Sequence, residues 1–217
     1  MKKLLILFLI LIGNNSFAQE EIPDIRHAKP NYTTIKEATH DTNSIYFYTK
    51  LMRKFKNGQQ MDMEEKRYLY YGTLFQEGYD KDYSSDLLND MQVILDKQNP
   101  TDTDFDDLLD YSQKILEENP FDLAALNYAT WVYRKKGMDL QNQLAMIQFS
   151  SIVDAIFSSG DGITEKNAFY VIHNRDKAFI PRVIGYRANT DADFDNDYIP
   201  LKENKKGIQG FWYYIFN

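Results

Sequence analysis

The chain has 217 residues, no cysteine, 32 acidic against 25 basic side chains and a net charge of −7. That length fits one domain, or one domain with a small appendage, and allows a core that needs no covalent staples. The missing thiols exclude disulfides, thiolate metal sites, a cysteine nucleophile and lipid attachment at cysteine, while an acidic chain without a basic stripe argues against nucleic acid.

Residues 1–18 read as a signal peptide. Lys2 and Lys3 give a positive start, Leu4 to Ile12 form a short apolar core, and Ser16-Phe17-Ala18 places small residues at the two positions that signal peptidase inspects. The apolar run stops at Gly13-Asn14-Asn15, well short of the roughly 20 residues that cross hydrocarbon. Cleavage after Ala18 would leave Gln19 first, shift the net charge to about −9 and put the protein in the periplasm or outside the cell. No stable membrane insertion is expected after that cleavage, and with no cysteine the protein is not a lipoprotein.

Residues 19–31 form a charged leader, broken by Pro23 and Pro30, and are expected to be flexible. From residue 32 to 159 apolar residues recur at helical spacing, and breakers are confined to Asn57-Gly58, Gly78, Asn99-Pro100, Asn119-Pro120 and Gly137. Asp62-Met63-Glu64-Glu65 has the pattern of a capping box, opening a helix that should run to about Gln76. Its segment Tyr68 to Phe75 is apolar or aromatic nearly all round, so it should be buried on more than one side. Gly72 within it predicts close approach of a neighbouring element. A further helix should start at Asp139, with Leu140, Leu144, Ile147, Ser151 and Ala155 on one stripe.

After Ser158-Ser159-Gly160-Asp161-Gly162 the period changes. Residues 160–217 are expected to form a small α+β unit packed on the helices. Ala168 to His173 alternates like a strand, Asp176 to Ile184 suggests a short helix ending at Gly185, Tyr198 to Lys202 a strand, and Phe211 to Phe216 an aromatic strand apolar on both faces. A strand of that kind should be paired and covered. The fold class is mainly α, with helical hairpins followed by a short antiparallel sheet.

Two resemblances sharpen this reading. The stretch Ile115 to Pro120 followed by Leu123 to Gly137 resembles the junction of two tetratricopeptide repeats, with Leu126, Ala129, Thr130, Tyr133 and Gly137 on the pattern of a first helix. The helix from Asp139 is too long for a standard repeat. The signal sequence, Glu65 through Tyr70-Tyr71-Gly72, the turn Ser159-Gly160-Asp161-Gly162, Ala168-Phe169-Tyr170-Val171-Ile172 and the aromatic terminal strand together resemble a family of exported Bacteroidetes proteins, domain of unknown function 4919. That resemblance spans nearly the whole mature chain and implies no activity or catalytic residue. Pro181 inside the short helix is a departure from it and bears on that helix's length.

Chemistry-bearing patterns are sparse. His27, His40 and His173 lack metal-motif spacing, and His173 reads as a hydrogen-bonded residue at a sheet edge. Ser158 and Ser159 have no base at recognisable spacing, and Gly160-Asp161-Gly162 lacks the Lys and hydroxyl of a phosphate loop, so it reads as a turn. Glu117 and Glu118 are adjacent on a helix and point apart. The sharpest local signal is Asp191, Asp193, Asp195 and Asp197, alternate carboxylates that could converge on Ca2+, although Lys202 stands where the closing bidentate glutamate belongs. Candidates for an aromatic binding groove are Tyr68, Tyr71, Tyr128 and Trp131.

These observations favour an exported, non-enzymatic helical scaffold that binds a protein or peptide partner in the cell envelope, without a cofactor. The alternatives are an envelope hydrolase whose carboxylates meet only in the fold, and a calcium-stabilised surface protein. Two facing acids of raised pKa in a cleft would favour the hydrolase; a continuous aromatic groove would favour the binder.

Overall fold

The computed structural model describes residues 27–189 and 197–216. In chain order these form α1 (Tyr32–His40), α2 (Tyr48–Lys56), α3 (Met63–Gly72), which tightens into a 3-10 turn over Thr73–Phe75, α4 (Leu87–Leu95), α5 (Asp102–Glu118), α6 (Leu123–Lys135), α7 (Asp139–Phe157), β1 (Phe169–Val171), α8 (Asn174–Val183), β2 (Tyr198–Pro200) and β3 (Gly210–Ile215). The molecule is mainly helical with a small sheet at its C-terminal end, as its periodicity predicts. The signal-peptide residues 1–18 and the leader up to residue 26 lie outside the described residues.

The helix starts follow local chemistry. Asp62 Oδ1 accepts from Glu65 N at 2.8 Å and Glu65 Oε2 accepts from Asp62 N at 3.2 Å, the expected capping box. Thr101 and Asp104 build a second one on α5. Short turns over residues 119–122 and 136–138 then fold α5, α6 and α7 back on one another. Gly137 closes the second turn at φ +68°, a conformation that costs a residue without Cβ nothing.

The helix over Asp139–Phe157 is found, but the expected stripe is buried only in its second half. Leu140 is 80% exposed, and burial begins at Ala145. The C-terminal half is the part packed against α3 and β1. Lys66 Nζ reaches Asp154 Oδ2 at 2.7 Å, and Arg67 donates to Ser158 Oγ at 2.6 Å and to the Ala28 carbonyl at 2.7 Å. Residues 28–30, inside the expected leader, are thereby tied to the helices, and the Ala28 amide donates to the Ser158 carbonyl. Gly72 meets Thr39: a β-carbon there would lie 2.7 Å from Thr39 Cγ2, the close approach its sequence context predicts.

The sheet order is β1-β3-β2. β2 and β3 make the expected antiparallel pair, with Ile199 opposite Phe211, whereas β1 joins β3 in parallel, Phe169 opposite Tyr213. β3 is therefore central, paired on both edges. β1 is three residues long and buried throughout, so the alternation read from Ala168 to His173 does not translate into one wet face; the Tyr170 ring packs on Tyr214 and under Lys29. In α8, Pro181 brings no amide hydrogen to the helical ladder, and the helix ends two residues later, before Gly185 at φ +82°.

Buried apolar side chains form two clusters. The larger runs from α1, α2 and α3 through α7 into the sheet and α8, and includes Leu51, Tyr70, Tyr71, Phe121, Ile156, Ile172 and Phe211. The smaller lies among α4, α5 and α6 and includes Met91, Phe105, Leu108, Ile115 and Val132.

Candidate functional site

Polar groups in the core concentrate at one seam, where α8 meets α3 and the turn before α6. Asp122 caps α6, accepting from Ala125 N at 2.8 Å, and its other oxygen lies 2.7 Å from Arg175 Nη1. Asp176, one residue on and 2% exposed, accepts the Tyr70 hydroxyl at 3.3 Å. The Tyr70 oxygen in turn accepts Ile172 N–H at 3.1 Å. His173 precedes α8 and is 4% exposed; its Nδ1 stands 4.0 Å from Asp176 Oδ2, beyond hydrogen-bond reach, and has no partner.

Burial and charge set the protonation of this cluster. Burial first, then the neighbouring Asp122 carboxylate, pushes Asp176 up to about 8. Burial also raises Asp122, opposed by the Arg175 guanidinium and the amides at the start of α6. His173 is pushed down to about 4 by burial and then by Arg175. At neutral pH Asp176 therefore holds a proton and His173 is neutral.

In front of this cluster lies a cavity of about 170 Å3. Its walls come from the start of α2, the 3-10 turn after α3, the segment 76–83, the end of α5 with the turn after it, and the residue before α8: Tyr48, Thr73, Tyr79, Tyr83, Glu118 and His173 are among them. Tyr83 donates to Glu118 Oε2 at 2.8 Å across the cavity's edge, and Tyr79 donates to the Ile172 carbonyl at 2.5 Å. Asn174 fixes the 80s segment to α8, donating through its backbone to the Lys81 carbonyl at 2.9 Å and through its amide to Asp82 Oδ1 at 2.6 Å. Of the buried cluster only His173 lines this cavity; Asp122 and Asp176 do not.

The aromatic candidates are not brought into one groove. Tyr71 is fully buried in the larger cluster, donating to the Ala155 carbonyl at 3.0 Å, and Tyr68 lies at its edge, stacked on Tyr46 with ring centres 4.1 Å apart. Tyr128 and Trp131 pack against the smaller cluster. Of the acidic loop, Asp191, Asp193 and Asp195 lie outside the described residues; Asp197 is 3.6 Å from Lys177 Nζ. Among the described residues no three His, Asp or Glu side chains are placed to hold a metal ion, and no helix is long and apolar enough to cross a membrane.

The remaining sequence candidates have structural roles. Ser159 Oγ accepts Tyr170 N–H at 2.9 Å, and Gly162 makes its turn at φ +70°. His173 is corrected from a hydrogen-bonded sheet-edge residue to a buried one with an idle Nδ1, because β1 stops at Val171 and hands the next residues to the start of α8. Sequence reasoning missed Asn119, Asp122, Arg175 and Asp176. Asp122 and Asn119 carry only the signal of a helix boundary, and nothing in the sequence links them to residues some fifty positions on.

Fold and site together define a mainly helical protein with a small mixed sheet and, beside the buried cluster, a cavity lined by acidic and aromatic residues. The chain belongs to the family Domain of unknown function (DUF4919), whose model matches residues 33–217, in agreement with the resemblance read from Tyr70-Tyr71-Gly72 and Ala168 to Ile172. No curated protein and no solved structure matches it.

Proposed function

We propose that this is an exported, non-enzymatic Bacteroidetes protein that binds a peptide or protein partner in the cell envelope. The leading segment Lys2 to Ala18 supports export, and the tight α5–α6–α7 turns support tetratricopeptide-like hairpins as its scaffold. The observation that carries the binding reading is the cavity: at about 170 Å3 it is below the roughly 300–1,000 Å3 of sites for drug-sized molecules, and suits one residue of a partner chain. Asp122 and Asp176, the two acids whose pKa burial raises, lie behind its wall rather than on it. In-cell photo-crosslinking tests this. A crosslinker replacing Glu77 on the cavity wall should give a partner adduct, and one replacing exposed Leu140 should not; equal adducts at both positions, or none at Glu77, would overturn the reading.

A second reading is an envelope hydrolase acting on peptide or glycan. It is favoured by one contact, His173 on the cavity wall with the protonated Asp176 at 4.0 Å. It requires the purified protein to cleave envelope glycan or peptide and His173→Gln to abolish the cleavage with the fold intact.

A further inference from the structure

The chemistry of the cavity wall specifies an occupant more narrowly than its size does. Glu77, Asp80 and Glu118 contribute three carboxylates, and no lysine or arginine lines it. The rings of Tyr48, Tyr79, Tyr83 and Phe121 complete much of the remainder. Three acidic residues favour a cation there, the neighbouring rings can add cation–π attraction, and an anion would meet the same field as repulsion.

Deeper in the wall a second requirement appears. Asn119 is 6% exposed, and its amide nitrogen has no partner. The amide's orientation is set by Phe121 N–H, which donates to Asn119 Oδ1 at 3.2 Å, so the free end is the donor. A buried donor left unpaired is costly, and an occupant whose acceptor reached it would recover that cost. His173, beside it, is neutral and does not oppose a cation; its ring can give or take one further hydrogen bond.

The occupant that answers these demands carries a positive charge with a carbonyl oxygen close by, inside a side-chain-sized volume. We propose that the cavity binds the free amino terminus of a peptide, its α-ammonium held by Glu118 and Asp80 and its first carbonyl oxygen taking the Asn119 amide N–H, an assignment that rests on the peptide-binding reading above and narrows it. A lysine side chain brings the charge without the adjacent acceptor. A free amino acid brings both, but adds a carboxylate to a wall that already holds three.

Calorimetric titration of the full chain at pH 6.5, below the roughly 8 at which a chain amino terminus loses its proton, tests this with four probes. These are trialanine amide, its N-acetylated form, free alanine and n-butylamine. Trialanine amide should bind, and acetylation should weaken it about tenfold or more, the worth of one charge-assisted hydrogen bond. Glu118→Gln, at an exposed position where the amide oxygen can still accept the Tyr83 hydroxyl, should weaken trialanine amide comparably and leave the acetylated peptide unchanged. Equal binding of the acetylated and free peptides overturns the amino-terminus assignment while peptide binding stands. Equal or tighter binding of alanine or butylamine overturns the peptide as source. Failure of every probe at millimolar concentration overturns the assignment, and the Glu77 crosslink then still decides the broader reading.

Discussion

The two hydrophobic clusters are held together in different ways. In the smaller one, among α4, α5 and α6, polar groups are satisfied within a turn or two of their own helix: Ser112 Oγ donates to the Leu108 carbonyl at 2.7 Å, and Asp104 closes the cap on α5. The larger cluster is stitched by side chains that reach across the sequence. Tyr70 bonds Asp176 and Ile172, Tyr71 bonds the Ala155 carbonyl, and Tyr79 bonds the Ile172 carbonyl. The first is held mainly by shape and apolar area, and its capping Asp104, kept low by Lys97 and Thr101, stays ionised from pH 5 to 8, so its stability should not change across that range. The second carries ionisable groups inside it, so its stability should depend on pH.

The largest expected effect tests the first half of that contrast. Leu108 is fully buried in the smaller cluster, and Leu108→Ala should cost about 2–5 kcal/mol in urea unfolding, the range for an aliphatic cavity. Its stability loss should be the same at pH 5 and pH 8. A loss that varied across that range would show the two clusters to be electrostatically coupled and break the contrast.

Gly72→Leu comes next. The added side chain enters the contact between α1 and α3, where its β-carbon would lie 2.7 Å from Thr39 Cγ2 and 3.5 Å from Tyr48 Cδ2. Overpacking of this kind costs about 1–3 kcal/mol, and an unchanged denaturation midpoint would contradict the packing described.

Gly72 also shows what the sequence makes legible. A glycine in an otherwise aromatic helix predicts a neighbour without naming it, and the capping box at Asp62 and Glu65, the helix before Gly185 and the pairing of the terminal strand are readable for the same reason: each is decided by residues a few positions apart. The cover expected on both faces of that strand is complete on one, since Tyr214 is 42% exposed. The seam is not. Asp122 is a good helix cap, and that local role conceals its longer bond to Arg175. Asp176 looks like an ordinary first-turn acid. Periodicity likewise marks Tyr68, Tyr71, Tyr128 and Trp131 as inward-facing, but it cannot tell which helices are apposed, and the chain assigns the two pairs to different clusters.

Tyr70→Phe sharpens the second half of the contrast. It removes the acceptor of Ile172 N–H and the donor to Asp176 while leaving the ring in place, and should cost about 1–2 kcal/mol, mainly from the stranded amide. Hydrogen exchange should quicken at Ile172 before it does in α5. Unchanged stability would mean that the tyrosine's bonds add nothing to its packing.

The smallest effect is the most diagnostic, because only the larger cluster should produce it. Asp176 titrates near 8 when folded and near 3.8 when unfolded, so between those values the native state keeps a proton that the unfolded chain has lost. Stability is then full below the lower value and falls as pH rises through the window. His173 works the other way: folded near 4 and unfolded near 6.5, it is deprotonated first in the native state, so its contribution is full above 6.5 and is lost as pH falls towards 4. From pH 4 to 6.5 the two slopes oppose; from 6.5 to 8 Asp176 acts without His173. Stability should therefore decline from pH 6.5 to 8, by at most about 1.4 kcal/mol per pH unit for a single proton. Asp122, raised by burial as well, has the same sign as Asp176, so the decisive measurement is the difference between the wild type and Asp176→Asn, in which titrations away from this cluster cancel. The variant should flatten the decline above 6.5 and uncover the His173 loss on acidification. Parallel profiles between pH 6.5 and 8 would show that Asp176 does not hold its proton in the folded chain.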